Sequence, residues 1–464
     1  MISPAHSPTA EQTLFDVRFY PFPTVDNEQI FAAVGEREVF VWRVKPGGDP
    51  PFELLRWFHD EDPSTSINIL EWTRDSLTGA PLLCFAGSSP KQIRIMDVLT
   101  GESIRELPGH GKAINDLAVS PLSTDLLASA SEDHTIRLWN LHPRYRDSPC
   151  VAKFCGEGHR QHILTINFHH NGRWLLSGGM DAAVCMWSVP SPQELESGGP
   201  GEPQIVYYPY FHSTEVHHNY VDCVRFHGDL IFSRAARDQT ARDRKNEILL
   251  WKIDGFDPDA ETPADPPMPS PGVCSRSSFP HEEGTSGFHR LLTFFTPDTD
   301  RFYHRFGLLQ SPYWRPILCM GTQRSRFMFW DLQALQEGKP PPTASKKGKV
   351  GRPRGRKAGV NADNLSRLDS MQAGSVGSES TGGGHSTPIP SSIAGNNDRK
   401  SDLADAFHPL PAHAVQIPQT NLTKIGGRTH DFATSHLAWS PDGRWLVGVG
   451  DRGIVCVFFR ERAI

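Results

Sequence analysis

Two sets of histidine, serine and aspartate residues in this chain could, by residue type, support hydrolytic chemistry. A serine hydrolase of the α/β type holds its nucleophile in a G-x-S-x-G turn, and neither serine lies in one. An active site also normally occurs once, whereas this set recurs in the same order, each time followed by a tryptophan. We therefore interpret both sets as hydrogen-bonded supports of a repeated fold. The sets are His110, Ser129 and Asp133, followed by Trp139, and His159, Ser177 and Asp181, followed by Trp187.

A second candidate for chemistry is the spacing Cys150-x4-Cys155-x3-His159-x2-His162, which resembles that of a metal site. His159 already belongs to a repeated set, and Cys155 lies on a predicted strand, so we predict no metal here. The sequence contains no P-loop, no dinucleotide fingerprint and no H-E-x-x-H motif. We find no candidate pocket for a methyl donor. We therefore predict no catalytic residues, no cofactor and no enzymatic activity.

The most basic part of the chain is 346–357, where seven of twelve residues are Lys or Arg. Its core, Gly-Arg-Pro-Arg-Gly-Arg, resembles an AT-hook, whose arginines enter the narrow, electronegative minor groove of A·T-rich DNA. We predict that Arg352, Arg354 and Arg356 contact such DNA. The alternatives are a nuclear localisation signal and a merely solvated basic loop. DNA contact and a localisation signal would both place the protein in the nucleus.

These residues lie in a chain that repeats one strand pattern seven times, with alternating apolar residues running into a large apolar residue. The two copies that end at Trp139 and Trp187 show the repeat unit most clearly. Each has the same order of a Gly-His pair, two strands, a turn with an aspartate and a third strand. Sheets repeated in this way close radially into a propeller, which usually binds rather than catalyses. We predict an all-β, seven-bladed WD-repeat β-propeller. The seven pattern ends are Trp42, Met96, Trp139, Trp187, Trp251, Trp330 and Phe458.

Seven blades of about 40–45 residues need roughly 300 residues, so the rest of the 464 residues must lie in loops and tails. We predict a disordered tail at 1–11 and a propeller over 12–464. Two loops, 190–205 and 254–287, interrupt the propeller. A third insertion, 337–405, is basic, rich in Gly and Ser and nearly free of aromatic residues. Because it cannot bury enough apolar surface to fold alone, we predict that it is disordered.

The closure of the ring does not follow from the pattern. Many propellers complete their last blade with an N-terminal strand, but residues 14–19 already have the pattern of the first strand of blade 1. Residues 1–11 are poor strand formers. We therefore expect one of three cases. Blade 7 lacks its outer strand, a partner closes it, or the sequence is truncated.

Composition excludes several classes of function. The 47 cationic and 53 anionic residues give a net charge of −6, so the chain as a whole is no general polyanion binder. The eight cysteines show no disulfide-like spacing, which favours a reducing compartment. The N-terminus lacks the features of a signal peptide, and no apolar run is long enough to span a membrane. With the basic segment, this predicts a nuclear protein without a membrane partner.

Three stretches go beyond general WD repeats: 109–117 (GHGKAINDL), 157–160 with 177–181, and 218–225 (HNYVDCVR) followed by 228–231. Together they resemble the EED/ESC family, the WD-repeat subunit of the Polycomb repressive complex that methylates histone H3. The resemblance covers about 12–335 and 412–460. It implies a non-catalytic scaffold that binds an N-terminal helix of an Enhancer-of-zeste-type subunit and stimulates that subunit in transcriptional repression. The alternative is a scaffold of another assembly, such as a ubiquitin-ligase substrate adaptor, without methyl-lysine recognition.

The resemblance also implies an aromatic cage for the trimethylated histone H3 tail, formed by Phe15, Phe302 and Tyr303. Phe302 replaces a tryptophan of the family, and a phenylalanine binds cations more weakly. By the residues alone, Phe15 alternates with Val17 and Phe19 and could be an ordinary core residue. On a strand, Phe302 and Tyr303 would point to opposite faces, so that only one could face a ligand.

Further matched positions surround the same mouth. Asn68 falls near a fourth cage position that is aromatic in the family, which is a departure from the family pattern. Asn115 and Tyr220 fall where the family lines the pocket. Asp222 and Arg305 fall where it flanks the bound tail. The resemblance therefore implies a peptide-binding rim made of these five residues.

Overall fold

The computed structural model describes residues 5–6, 12–197, 201–235, 246–339, 405–417, 424–425 and 428–460. These residues form seven sheets of four or five strands, and a separate two-stranded hairpin of Lys424–Ile425 and Arg428–Thr429. The first strands of successive blades pack against one another around a central channel. The predicted seven-bladed, all-β propeller is confirmed.

Each blade runs from an innermost to an outermost strand. Blade 1 consists of Asp16–Phe19, Ile30–Gly35, Glu38–Val44 and Phe52–His59. Blade 2 consists of Ser66–Arg74, Pro81–Ser89, Ile93–Asp97 and Ser103–Leu107. Blade 3 consists of Ile114–Ser120, Ser123–Ser131, Ile136–Asn140, Cys150–Phe154 and Gln204–Val206. Blade 4 consists of Ile163–Phe168, Trp174–Gly179, Val184–Ser188, Phe211–Ser213 and Ser275–Ser277.

The remaining three blades follow the same order. Blade 5 consists of Val221–His227, Leu230–Ala235, Glu247–Ile253, Phe288–Phe295 and Pro409–Leu410. Blade 6 consists of Gly307–Ser311, Trp314–Gly321, Arg326–Asp331 and His413–Gln416. Blade 7 consists of Thr434–Trp439, Trp445–Gly450, Ile454–Phe459 and Ala5–His6.

The inserted segments contribute strands of their own. Gln204–Val206 pairs in parallel with the fourth strand of blade 3, and Ser275–Ser277 extends blade 4. Thus the segments 190–205 and 254–287, predicted as loops, each place residues in a fifth strand. Most of the predicted 337–405 insertion, including Arg352, Arg354 and Arg356, lies outside the described residues.

Blade 7 is closed by the N-terminal segment. Ala5 and His6 pair antiparallel with Val455 and Ile454 and supply the fourth strand. We predicted a disordered tail at 1–11, and the described residues of that segment, Ala5 and His6, form a strand. Their weak strand propensity did not prevent pairing, because the exposed edge of Ile454–Phe459 offers unpaired backbone groups.

The core is divided between the blades. Among the described residues, seven buried apolar clusters lie one at each blade-to-blade contact, including the contact between blades 7 and 1. The seven pattern ends all lie on third strands, and five of them are tryptophans exposed by 2% or less. Because each blade buries its apolar faces only against its neighbours, the closed ring stabilises all of them.

The two repeated sets are structural, as predicted. Nε2 of His110 lies 2.7 Å from Oγ of Ser129, and the Trp139 indole N–H donates to the same hydroxyl over 2.8 Å. His159, Ser177 and Trp187 repeat this arrangement with distances of 2.7 and 2.9 Å. Each set ties the loop before its blade to the second and third strands.

Helices are few and short. The α-helices are Pro192–Ser197 and Leu332–Gln336, and the 3-10 turns are Val25–Asn27, Pro143–Tyr145 and Asp451–Gly453. Within the described residues, no helix has the length and apolar character needed to cross a membrane.

Candidate functional site

One residue in each blade occupies an equivalent position at the start of the innermost strand. In five blades the register between the first and second strands skips one residue at this point, which is a β-bulge. In blade 1 the equivalent residue, Phe15, donates its backbone N–H to Val34 O over 2.8 Å. In blade 6 the equivalent residue, Arg305, donates its backbone N–H to Ser435 O over 3.0 Å. We call the seven residues the channel ring. They are, from blade 1 to blade 7, Phe15, Asn68, Asn115, Leu164, Asp222, Arg305 and Ser435.

Close backbone packing fixes this position. A Cβ on Gly35 would lie 2.1 Å from Thr13 O, and a Cβ on Gly87 would lie 1.9 Å from Ser66 O. Only glycine allows so close an approach. Because the same contact recurs in blades 1 and 2, Phe15 and Asn68 are equivalent residues on neighbouring blades. The structure thus brings five of the eight predicted cage and rim residues into one ring.

Buried charges form a floor beneath the channel ring. Arg305 reaches from blade 6 to blade 3, where its Nη1 lies 2.8 Å from Oδ1 of Asp116. Its Nη2 donates to the backbone oxygens of Asn115 (3.0 Å) and Leu164 (3.2 Å). Arg18 of blade 1 binds the same carboxylate over 3.2 Å. The pore is therefore crossed by side chains, and a ligand entering at the ring meets this floor.

The floor keeps its carboxylates ionised. Burial alone would raise the pKa of Asp116, but Arg305 and Arg18 hold that pKa below its ordinary value. Burial also opposes ionisation of Asp16, yet Arg18 and His436 lower its pKa strongly. The buried negative and positive charges are thus matched and hydrogen-bonded, as a low-dielectric site requires.

Three predicted rim residues already have partners inside the protein. Asn115 Nδ2 donates to Ile163 O over 2.8 Å. Asp222 forms an ion pair with Arg234, and both side chains are fully buried. Arg305 is engaged in the floor and is 3% exposed. These side chains thus form part of the wall and floor of the pore, and their direct contact with a peptide stays a prediction.

Aromatic rings crowd the mouth on the side of blades 5 and 6. The Phe302 ring lies 5.1 Å from that of Tyr220 and 4.2 Å from that of Tyr303, measured between centroids, in edge-to-face arrangements. Phe302 is 45% exposed, so its ring is accessible to a ligand. Tyr303 has a positive φ of 56°, a strained conformation for a residue other than glycine. A turn rather than a strand therefore presents the adjacent pair.

The Tyr303 hydroxyl is electrostatically neutral. Burial raises its pKa well above the ordinary value, although Arg305 acts in the opposite direction. The phenol consequently remains protonated at physiological pH. Its ring face thus keeps the negative quadrupole that attracts cations without adding a full charge.

Phe15 is half-buried in the ring position of blade 1. Among the described residues, its ring makes no direct contact with the rings of Tyr220, Phe302 or Tyr303. Direct contact is not required of a cage, because each ring must lie within about 6 Å of the cation rather than of another ring. The structure places Phe15 on the same mouth as the pair, and its role in a cage stays a prediction.

Asn68 is the departure from an all-aromatic mouth. Its side chain is half-buried, and its amide oxygen Oδ1 is buried without a hydrogen-bond donor from the described residues. Ile67, its neighbour, donates its backbone N–H to Glu36 O over 2.6 Å, which holds the bulge against blade 1. The mouth therefore combines aromatic rings with one amide that has no hydrogen-bond partner in the described part of the chain.

The opposite end of the channel opens into a cavity of about 1070 Å³. Arg18, Glu71, Arg225, His227 and Trp439 are among its lining residues. Large apolar side chains project from the turns between first and second strands at this same end: Val25 (83% exposed), Leu77 (69%), Leu122 (71%) and Tyr313 (89%). We call these four residues the lower apolar face. The two ends of the channel thus differ in chemistry.

Two features near the site were not predicted from the sequence. A third structural set lies in blade 5, where His217 Nε2 is 2.7 Å from Ser233 Oγ and the Trp251 N–H donates to that hydroxyl over 2.8 Å. The spacing from Ser233 to Trp251 is 18 residues rather than the 10 of the other sets, because a segment is inserted. The Arg18–Asp116 pair was also missed, since nothing in a strand pattern reveals which residues meet across a pore.

Comparison with known proteins gives consistent matches. A family model described as "WD domain, G-beta repeat" matches residues 101–140, 148–188 and 422–458. The chain is 36% identical over 334 residues to Polycomb protein EED of Chaetomium thermophilum, covering 70% of this chain and 57% of that protein. It is 29% identical over 332 residues to Polycomb protein esc of Drosophila melanogaster, covering 69% and 70%. The chain thus spans less than two thirds of the length of the Chaetomium relative.

Solved structures agree with these matches. A structure of ctPRC2 in complex with H3K27me3 and H3K27M contains a chain that aligns with a TM-score of 0.75 and 28% identity, with 98% of both chains covered. The crystal structure of the Chaetomium thermophilum Polycomb repressive complex 2 gives a TM-score of 0.74 and 29% identity, covering 97% of this chain and 94% of that chain.

Proposed function

The chain belongs to the EED/esc family of Polycomb proteins, and we propose that it is the non-catalytic scaffold and histone H3 reader of a Polycomb-type methyltransferase complex. It binds a trimethylated histone H3 tail at the channel ring and an Enhancer-of-zeste-type catalytic subunit at the opposite end. A scaffold of another assembly, such as a ubiquitin-ligase adaptor, is not favoured, since the relatives are Polycomb proteins.

The observation that carries the reader function is the aromatic pair of exposed Phe302 and half-buried Tyr303 above a charged floor. A trimethylated ammonium cannot donate a hydrogen bond, so water solvates it weakly. Aromatic ring faces attract it at about 0.5–2 kcal/mol per good contact. Phe15 on blade 1 supplies a further wall from another side of the mouth. The floor prevents the lysine from passing through, so that the cation stops at the rings.

The lower apolar face supports binding of the catalytic subunit. Solvent-exposed apolar groups that gather at one end of a protein commonly mark an interface. Leu122 and Tyr313 belong to blades 3 and 6, so a helix lying across the pore can contact both. The adjoining cavity contributes charged groups for polar side chains of the same helix.

Stimulation of the catalytic subunit follows from thermodynamic coupling. A histone peptide that binds the reader more tightly when the catalytic subunit is in its active conformation shifts that subunit towards activity. The floor offers a physical connection, because Arg305 and Arg18 link the ring to the innermost strands that line the lower cavity. Weak binding to one peptide is sufficient on nucleosome arrays, where several tails bind together.

We propose that the basic segment 346–357, which lies outside the described residues, attaches the protein to chromatin at a second point. Arg352, Arg354 and Arg356 contact A·T-rich DNA in the minor groove. This role requires a nuclear protein. If it is correct, deletion of 346–357 weakens DNA binding and reduces its salt dependence, whereas salt-sensitive binding that survives the deletion contradicts it.

The reader function is tested by fluorescence titration of the full chain with histone H3 peptides that carry a lysine with zero to three methyl groups. We expect methylated peptides to bind at least tenfold more tightly than the unmethylated peptide. Phe302→Ala should abolish this preference, because the exposed ring is removed without opening the core. The matched control is Tyr313→Ala, an aromatic residue at the opposite end. Equal binding of all four peptides would contradict the reader function.

The scaffold function is tested by co-purification with an Enhancer-of-zeste-type subunit. Leu122→Glu combined with Tyr313→Glu should abolish the complex while peptide binding at the ring remains. Ile205→Glu is the control, since Ile205 is 52% exposed on the outermost strand of blade 3. If the double variant assembles as well as the control, the lower apolar face is not the interface.

A further inference from the structure

The channel ring contains an asparagine whose side chain forms no hydrogen bond with the described residues. Asn68 is the blade 2 equivalent of Phe15, and its Oδ1 is buried with no donor among the described residues. Asn115, the equivalent residue of blade 3, uses its amide to bind Ile163 O over 2.8 Å. An asparagine at this position can therefore serve the fold, but Asn68 forms no such bond. A buried acceptor without a donor is costly, so its presence at a ligand site points to the ligand.

A methylated lysine can supply the missing N–H donor only when it carries fewer than three methyl groups. A trimethylated ammonium has no N–H group. A dimethylated ammonium has one N–H, retains its full positive charge and keeps most of its contact with aromatic faces. An aromatic wall favours the trimethylated state, whereas a wall that accepts a hydrogen bond favours a state that still donates one.

We propose that Asn68 makes this pocket selective for dimethyl-lysine over trimethyl-lysine, by accepting the remaining N–H of the dimethylammonium group at its amide oxygen. The inference rests on the proposed reader function and names the methyl state that the same site prefers. When trimethyl-lysine enters instead, it offers no N–H, and Oδ1 stays buried without a donor. A rotation of the amide that brings Oδ1 to the ligand breaks no hydrogen bond to a described residue.

The bulge accounts for the orientation of the group. Ile67 pairs with Gly87 and Ile69 pairs with Ala86, so Asn68 is the residue left outside the ladder. The backbone of Ile67 is anchored to Glu36 O of blade 1. Asn68 thus stands beside the blade that carries Phe15, and the two equivalent positions present an aromatic wall and an accepting wall side by side.

The test is calorimetric titration of the full chain with H3 peptides that carry zero, one, two or three methyl groups on the recognised lysine. Wild type is expected to bind the dimethylated peptide about tenfold more tightly than the trimethylated one, the size of one hydrogen bond to a charged donor. Asn68→Leu, a variant of similar volume without an acceptor, should remove this preference. Asn68→Asp should increase it, and Asn68→Tyr should reverse it in favour of the trimethylated peptide.

The outcomes separate the two proposals. If methylated peptides bind more tightly than the unmethylated one, but trimethyl-lysine is preferred in wild type and Asn68→Leu leaves the ratio unchanged, the inference about Asn68 fails and the reader function stands. If no methylated peptide is preferred, both fail. Thermal unfolding of each variant provides the folding control, and Asn68→Asp, which preserves the shape of the side chain, tests the inference even if Asn68→Leu does not fold.

Discussion

The guanidinium of Arg305 in blade 6 and the carboxylate of Asp116 in blade 3 form an ion pair across the channel, with 2.8 Å between Nη1 and Oδ1. Both side chains are buried, and they lie 189 positions apart in sequence. Because blades 3 and 6 are not neighbours, the pair joins opposite sides of the pore. It supports the channel ring from below and determines how deep a ligand can enter.

Removing one member of this pair should destabilise the protein strongly. Asp116→Asn leaves Arg305 and Arg18 with less negative charge in a buried site, and we expect the free energy of unfolding to fall by about 3–5 kcal/mol. The measurement is urea denaturation followed by tryptophan fluorescence. Arg144→Ala is the control, since its pair with Glu196 is exposed and should contribute less than about 1 kcal/mol. Similar losses for both variants would show that the floor is not structural.

The repeated His–Ser–Trp sets should contribute to stability and not to ligand binding. Ser129→Ala removes a hydroxyl that both His110 and Trp139 contact. Because two buried polar groups lose their partner, the expected loss is about 1–3 kcal/mol in the free energy of unfolding. Peptide affinity, measured in parallel under native conditions, should stay unchanged. The control is Ser270→Ala at an exposed serine, which should change neither the free energy of unfolding nor the peptide affinity. A loss of peptide affinity in Ser129→Ala without a loss of stability would contradict this prediction.

Acidification should destabilise the propeller. Burial lowers the pKa of His217 to about 3 and that of His212 to about 4, whereas an unfolded histidine has a pKa of about 6.5. As pH falls below about 6.5, the unfolded state binds protons that the folded state excludes, and stability is lost. Unfolding free energies measured from pH 7.5 to pH 5 should decrease steadily.

The variant His212→Gln should reduce that pH dependence. It removes one group that can bind a proton only after unfolding, so the slope of stability against pH should become shallower between pH 6.5 and 5. A stability that stays constant or rises on acidification would be inconsistent with neutral buried histidines.

The N-terminal strand should protect the edge of blade 7. Deleting residues 1–11 removes the two-residue strand Ala5–His6, which pairs with Ile454 and Val455. We expect faster amide hydrogen exchange along Ile454–Phe459, because the edge becomes exposed to water. Exchange in the third strand of blade 3, Ile136–Asn140, serves as the internal reference. Unchanged protection at Ile454–Phe459 would mean that the N-terminal strand adds no stability to the blade.

Much of the architecture could be predicted because the signal is local. Trp139 and Trp187 end strands whose alternation is visible in a few residues, and their histidine and serine partners lie within the same blade. The channel ring was reached through resemblance, which named Phe15, Asn68, Asn115, Asp222 and Arg305 without revealing that they are equivalent.

Other features could not be predicted, since they depend on contacts between distant parts of the chain. The pairing of Ala5 with Val455 depends on the closure of the whole ring. The burial of Arg305 depends on a partner in another blade, so the same residue was expected to flank a peptide. The unpaired oxygen of Asn68 becomes visible only when the bulge of blade 2 is compared with that of blade 3.

A crystal structure of the chain with a methylated histone H3 peptide will show whether the channel mouth holds the side chain of the methylated lysine. We expect the methylated ammonium within about 6 Å of the ring centroids of Phe15, Phe302 and Tyr303, above Arg305 and beside Asn68. A peptide bound with its methylated lysine outside the mouth, or on the lower apolar face, would contradict this expectation.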